Sequence, residues 1–208
     1  MSILKPRKKV VSELIKIDKI NQHDELENII LENYNEENIN FLDVIIDKGI
    51  IKDVVLLNSN QEKNTFIDIE FNNCNFSNSN FDNCAFIRCE FSNCKFTGCS
   101  FIESNFNDIS FIDSNLNYAN LSMASMKNVL FKNTSLRNCC FQENRLKNIL
   151  FENADLTQAQ IFKTSLKEID LSNSIIEGIA VSIEDVKGAI INQFQALDLL
   201  YLLGVKIK

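Results

Sequence analysis

The stretch FNNCNFSNSNFDNCAFIRCEFSNCKF, residues 71–96, places Phe71, Phe76, Phe81, Phe86, Phe91 and Phe96 at every fifth position. An α-helix repeats its faces every 3.6 residues and a β-strand every 2, so neither element produces this period. Stepping by five from Phe66 to Ile176 meets only Phe, Leu, Met and Ile. The register continues backwards through Leu56, Ile51, Ile46, Phe41, Leu31 and Leu26, with Glu36 and Gln61 as exceptions, and forwards through Val181, Val186 and Ile191. No insertion or deletion breaks it between about residue 26 and residue 191.

A second column lies two residues before the first: Cys74, Ser79, Cys84, Cys89, Cys94, Cys99, Ser104, Ile109, Ser114, Ala119, Ala124, Val129, Thr134 and Cys139, nearly all of them small. The three remaining positions are mostly Asn, Ser, Asp, Lys and Glu. Five residues with one large and one small inward side chain make one side of a coil with a narrow core. Four such sides, about twenty residues, complete a turn, and turns stack at about 4.8 Å. The fold class expected is an all-β solenoid whose stability comes from the stack, since no single coil holds itself closed.

This pattern resembles the pentapeptide-repeat family, whose unit reads roughly A(D/N)LXX; FENADLTQAQ, residues 151–160, is the closest match. The resemblance implies a right-handed quadrilateral β-helix. Three segments are expected: an N-terminal cap over 1–23, the β-helix over 24–191, and a C-terminal helix with a short strand over 192–208. Within 1–23, VVSELIKIDKI reads as a short helix or strand covering the first turn. One Pro and five Gly suit uninterrupted coils, because either residue removes a ladder bond or a packed side chain.

Six of the seven cysteines fall in the small column, where a thiol acts as a small hydrophobe. Successive steps of five turn them onto different sides, which argues against a zinc site. Cys140 is expected outward. The basic start MSILKPRKKVV lacks the apolar run of a signal peptide, and no stretch is long enough to span a bilayer, so a cytoplasmic location is expected. His23 is the one histidine, and no nucleophile with a base, no metal-ligand cluster and no phosphate-binding loop is evident. Catalytic, cofactor and metal residues are all expected to be absent, and enzyme function with them.

The net charge of −7 speaks against direct binding of nucleic acid. Residues 24–62 hold ten acids and two bases, whereas 127–208 hold nine and ten, so the acidic end is the first part of the coil. Positions twenty apart share a side. The side of Phe71, Phe91 and Phe111 gathers Glu32, Asp53, Glu70, Glu90, Asp113, Glu152 and Asp170 against Lys52 and Lys132. The side of Phe86 and Met126 gathers Lys127, Arg145, Lys147 and Lys167.

The C-terminal NQFQALDLLYLLGVKIK reads as a helix from about Gln193 to Leu203, capped by Asn192 and stopped at Gly204, with a strand from Val205 to Lys208. One apolar row is Phe194, Leu197 and Tyr201; another is Ala196, Leu199, Leu200 and Leu203. One row can cap the last coil, which leaves the other for a homodimer; its interface is expected to draw on Phe194, Leu197, Leu199, Leu200, Tyr201 and Leu203, with Leu199, Leu200 and Leu203 at its centre. This segment resembles the end of the Qnr-type and MfpA-type members, and the uninterrupted register is similar to their loop-free, Firmicute-type forms. That resemblance implies a homodimeric mimic of duplex DNA that binds DNA gyrase or topoisomerase IV and lowers the effect of quinolones. Its binding surface would be the stripe of Glu70, Glu90, Asp113, Glu152 and Asp170. The alternative is a scaffold that displays side chains to an unrelated protein.

Overall fold

The computed structural model describes Lys5 and residues 13–204. Strands Glu25–Glu32, Ile45–Lys52, Thr65–Asn72, Asn105–Ile112, Ser125–Lys132 and Arg145–Glu152 run parallel and stack in one sheet. Between neighbouring coils each residue pairs with the one twenty positions on, as Phe111 does with Phe131 and Phe131 with Phe151. Each long strand covers two adjacent sides. The other two sides are joined by single parallel bridges, such as Asn75 to Lys95 to Asn115 and Asn80 to Ser100 to Asn120. The result is a parallel β-solenoid of about eight turns.

The large column fills the interior. Phe91, Phe96 and Phe101 are 1% exposed and Phe106 is 2% exposed, on four successive sides. Rings twenty apart stack face to face: Phe71 and Phe91 have centroids 4.6 Å apart, Phe91 and Phe111 4.8 Å, and Phe111 and Phe131 5.2 Å. Rings on neighbouring sides meet edge to face, as Phe91 and Phe96 do at 5.3 Å. Each pair contributes about 0.5–1.5 kcal/mol beyond burial. Gln61 replaces a hydrophobe inside and is buried, whereas Glu36 points outward.

The asparagines have a structural reason that their polarity alone does not supply. The residue two after each large one turns the corner with positive φ, from His23 through Asn73 (54°), Asn78 (59°) and Asn83 (59°) to Glu168. Asn and Asp visit this left-handed region more readily than other side chains, and Gly does so freely. Gly98, Gly178 and Gly188 fall at the same position.

The second column does more than leave space. Its hydroxyls and thiols donate to the carbonyl of the large residue 23 positions earlier: Ser104 Oγ to Phe81 O at 2.7 Å, Thr164 Oγ1 to Phe141 O at 2.7 Å, Cys139 Sγ to Leu116 O at 2.8 Å. Ser104 and Ser114 Oγ also accept from the N–H of Cys84 and Cys94, both at 3.1 Å. One corner departs from the small pattern. Ile29, Gly49, Ile69, Ile109, Val129 and Ile149 occupy it inside the long strands, and Cys89 and Ile169 occupy it outside any strand. At Cys89 the strand splits into Ala85–Ile87 and Glu90–Ser92.

At the N-terminal end, strand Ile15–Ile17 pairs in parallel with Ile29–Leu31, fourteen positions on rather than twenty, and Ile20 is buried against the core. Residues 1–4 and 6–12 of the expected cap lie outside the described residues. At the C-terminal end, Ser182 accepts from Asp185 N–H at 3.1 Å and caps a short helix, Ile183–Val186, that the five-residue period did not suggest. The terminal helix is shorter than expected: Gln195–Leu199 is α-helical and Leu200–Leu203 tightens to a 3₁₀ turn before Gly204 at φ 67°. Asn192 Oδ1 accepts from Phe194 and Gln195 N–H at 2.9 and 3.0 Å, while Gln195 Oε1 accepts from Asn192 N–H at 2.8 Å. The expected strand Val205–Lys208 lies outside the described residues.

Candidate protein-interaction surface

The stripe residues lie on the outside of one wall, but with unequal surroundings. Glu90 is half-buried and forms an ion pair with Lys5 at 3.8 Å; Glu152 pairs with Lys132 at 3.5 Å. Glu32, at the N-terminal end of the same wall, holds Lys16 at 2.8 Å, and that hydrogen bond keeps its carboxyl below the usual range. Asp53 accepts from Asn73 Nδ2 at 2.6 Å and faces Lys52 at 3.6 Å. Asp113 is exposed and accepts from Asn133 Nδ2 at 2.9 Å, and Asn153 continues the ladder to Asn133 at 3.0 Å. Asp170 is exposed, and bonds from the Ser172 hydroxyl and N–H hold its carboxyl below the usual range. Glu70 is half-buried. The wall is thus acidic with local compensation, and its carboxylates recur from coil to coil except at the coil of Phe131, which carries Lys132 instead.

Lys5 and Lys16 were not foreseen as partners of this wall. No periodic signal could place them, because they precede the register. The neighbouring wall carries Lys127, Arg145, Lys147 and Lys167; all but Lys127 lie towards the C-terminal end and all are exposed. At a corner of this wall Arg88 donates to both oxygens of Asp68 in the coil below, at 2.6 and 2.7 Å. Asp68 is 3% exposed, and the bidentate bond raises the Arg88 pKa further.

The expected dimer residues do not share one face. Leu199 packs against the core, as does Leu202, while Gln195 is buried and donates to the carbonyls of Leu171 at 2.8 Å and Ser174 at 2.6 Å. Tyr201 donates through its hydroxyl to Ile179 O at 2.7 Å. These contacts seat the helix on the open edge of the last coil. The outward side chains are Phe194 at 71% exposure, Leu197 at 57% and Leu203 at 68%, with Tyr201 exposed and Leu200 half-buried. The apolar face therefore centres on Phe194 and Leu197 rather than on Leu199, because the hydrogen bonds of Gln195 fix the rotation of the helix.

All seven cysteines are free thiols, and Cys140 is half-buried with Sγ 3.1 Å from Ser122 Oγ, not fully outward as expected. Burial pushes the thiols of Cys84, Cys89 and Cys99 up to about 12. None of the described helices is long and apolar enough to cross a membrane.

The family model described as "Pentapeptide repeat region" matches this chain over 64–136 and 84–161. No curated protein matches it. Among solved structures, a trypsin-treated QnrB1, titled a plasmid-mediated fluoroquinolone resistance protein, is 20% identical with a TM-score of 0.47, covering 93% of this chain and 95% of that one. A pentapeptide repeat protein from the Arabidopsis thaliana thylakoid lumen is 20% identical with a TM-score of 0.42, covering 43% and 63%. HetL of the cyanobacterium Nostoc, titled as involved in heterocyst differentiation regulation, is 14% identical with a TM-score of 0.31, covering 83% and 91%. Over residues 64–161 this chain matches the pentapeptide-repeat family, and the same twenty-residue register continues on either side of the matched segments.

Proposed function

We propose that this protein is a homodimeric mimic of duplex DNA that docks on a type II topoisomerase, DNA gyrase or topoisomerase IV, in the cytoplasm, and shields it from quinolones. The observation that carries the proposal is the acidic wall: Glu70, Glu90, Asp113, Glu152 and Asp170 on one side of a straight register of coils. A groove that receives duplex DNA is lined with Lys and Arg, and a rod with carboxylates along one wall meets such a groove with complementary potential. Coils recur at about 4.8 Å, against about 3.4 Å per phosphate along one DNA strand, so the two charge repeats are of the same order. The unpartnered apolar face at Phe194 and Leu197 supplies a route to a longer, two-fold rod.

A supercoiling assay with purified gyrase, with and without a fluoroquinolone, tests this reading. Restored supercoiling on titration with this protein is the expected result; no effect on gyrase or topoisomerase IV removes the reading. A second reading, a scaffold for an unrelated protein, is favoured by the ion pairs of Glu90 and Glu152, which lower the net charge of the wall.

A further inference from the structure

The ladder that joins the coils is broken at one level. Elsewhere on the two stranded walls, backbone bonds connect each coil to the next: Arg88 N–H donates to Asn107 O at 2.8 Å, Asp113 N–H to Lys132 O at 3.0 Å, and Ser110 N–H to Cys89 O at 3.1 Å. The equivalent bonds from Asn148 to Lys167, from Asn153 to Ser172 and from Asp170 to Ile149 are absent among the described residues. The strand Arg145–Glu152 pairs with Ser125–Lys132 on one side and, among the described residues, with no strand on the other. The remaining two walls stay joined across the same level, by Asp155 to Ile175 and Cys140 to Gln160 to Ala180. Glu143 N–H to Phe162 O, at 3.0 Å, and Leu156 N–H to Ile175 O, at 2.8 Å, mark the two ends of the opening.

The opening is a cleft of about 380 Å³, lined by residues 146–150 below and by Ser165 and residues 167–169 above. Leu146 is half-buried there, whereas Phe66, Phe86, Phe106 and Met126 of the same column are buried. At its edge, Asn144 is buried with neither Oδ1 nor Nδ2 partnered, while Asn64 in the same column accepts from Val44 N–H at 2.8 Å. Arg145 and Lys147 have no ion pair among the described residues, and Lys167 has only its neighbour Glu168, at 4.0 Å.

An unpaired strand edge is a template for another strand. A simple anion would need donors alone, but this edge offers alternating N–H donors and carbonyl acceptors, the complement of a peptide backbone. The flanking Arg145, Lys147 and Lys167 select the side chains. We propose that the break in the wall is a binding slot for an extended acidic peptide, which adds as a strand beside Arg145–Glu152. The proposal is independent of topoisomerase binding, since the side chains that select the peptide, Arg145, Lys147 and Lys167, stand on the basic wall and none belongs to the acidic stripe.

Amide hydrogen exchange followed by NMR on the full chain tests it. The probe is a blocked hexapeptide of alternating valine and glutamate; the controls are its lysine-for-glutamate form, a form N-methylated at alternate residues, and inorganic phosphate. In the free protein, the amides of Leu146 and Asn148 are expected to exchange faster than their ladder equivalents Phe106 and Asp108. The acidic peptide should slow them by roughly tenfold or more, as pairing removes the open state. Lys147→Glu with Lys167→Glu should abolish this slowing, and the N-methylated and lysine peptides should fail to produce it. Equal protection by phosphate, protection already complete without peptide, or no response to the acidic peptide each overturns the proposal.

Discussion

The side-chain amide of Asn133 donates to the carboxylate of Asp113 one coil below at 2.9 Å, while its own oxygen accepts from Asn153 one coil above at 3.0 Å. Asn133 also turns its corner at φ 50°. One residue therefore serves both the backbone and the stack. Asn133→Ala loses two hydrogen bonds at about 1 kcal/mol each and adds about 1–2 kcal/mol of left-handed strain. Asn133→Gly loses the bonds without the strain. Denaturant unfolding should rank the alanine variant below the glycine variant; equal stabilities would remove the conformational part of the explanation.

The corner held by Ile69, Cys89 and Ile109 makes an opposite prediction for a core change. Cys89→Ile matches the column above and below it and should be neutral or stabilising, with the two short strands around it merging into one. Cys99→Ile, between Ser79 and Ala119, should cost about 1–3 kcal/mol by overpacking. Thermal melts of the two variants side by side decide the matter. Destabilisation of both by the same amount would mean that the four corners are equivalent.

Much of this was legible in the sequence because a single period dictates it. The five-residue spacing of Phe71 to Phe96 determines the coil, the inward column and the walls on which Glu70 and Lys147 lie. Asn73 and Asn78 read in the sequence only as polar positions, although the enrichment of asparagine there reflects positive φ, a backbone demand that polarity does not reveal. The rotation of the terminal helix was hidden because it depends on Gln195, a polar residue buried by carbonyls of the last coil. The wall break was invisible for a related reason. Residues 145–172 keep the period, and pairing between two coils is a property of their backbones.

Buried thiols make stability fall at alkaline pH. A free thiol titrates near 8.5, whereas Cys84, Cys89 and Cys99 are pushed up to about 12. Between these values the unfolded chain has released protons that the folded chain retains, so the contribution is fully present below about 8.5 and is lost as pH rises towards 12. Urea unfolding at increasing pH should show this decline. Replacing Cys84, Cys89 and Cys99 with alanine should lower overall stability yet flatten the alkaline slope; an unchanged slope would show that these thiols titrate normally.

Assembly should depend on the outward face of the terminal helix. Leu197→Asp is expected to shift a dimer towards monomer in light scattering, since Leu197 is exposed, while leaving the capping bonds of Gln195 in place. Leu199→Asp should instead unfold the C-terminal cap, because Leu199 packs on the core. A wild-type protein that is monomeric at micromolar concentration contradicts the two-fold rod.

Binding to gyrase by the acidic wall is tested most directly by reversing its charge. Glu70→Lys, Glu90→Lys and Glu152→Lys combined spare Asp113 and its asparagine ladder, so the circular dichroism spectrum should match that of the wild type. Surface plasmon resonance against immobilised gyrase should then show binding by the wild type that weakens as salt rises, through screening over about 10 Å at 0.1 M, and none by the triple variant. If the folded variant binds as tightly as the wild type at the same salt, the wall is a solvated face and gyrase is not recognised through it.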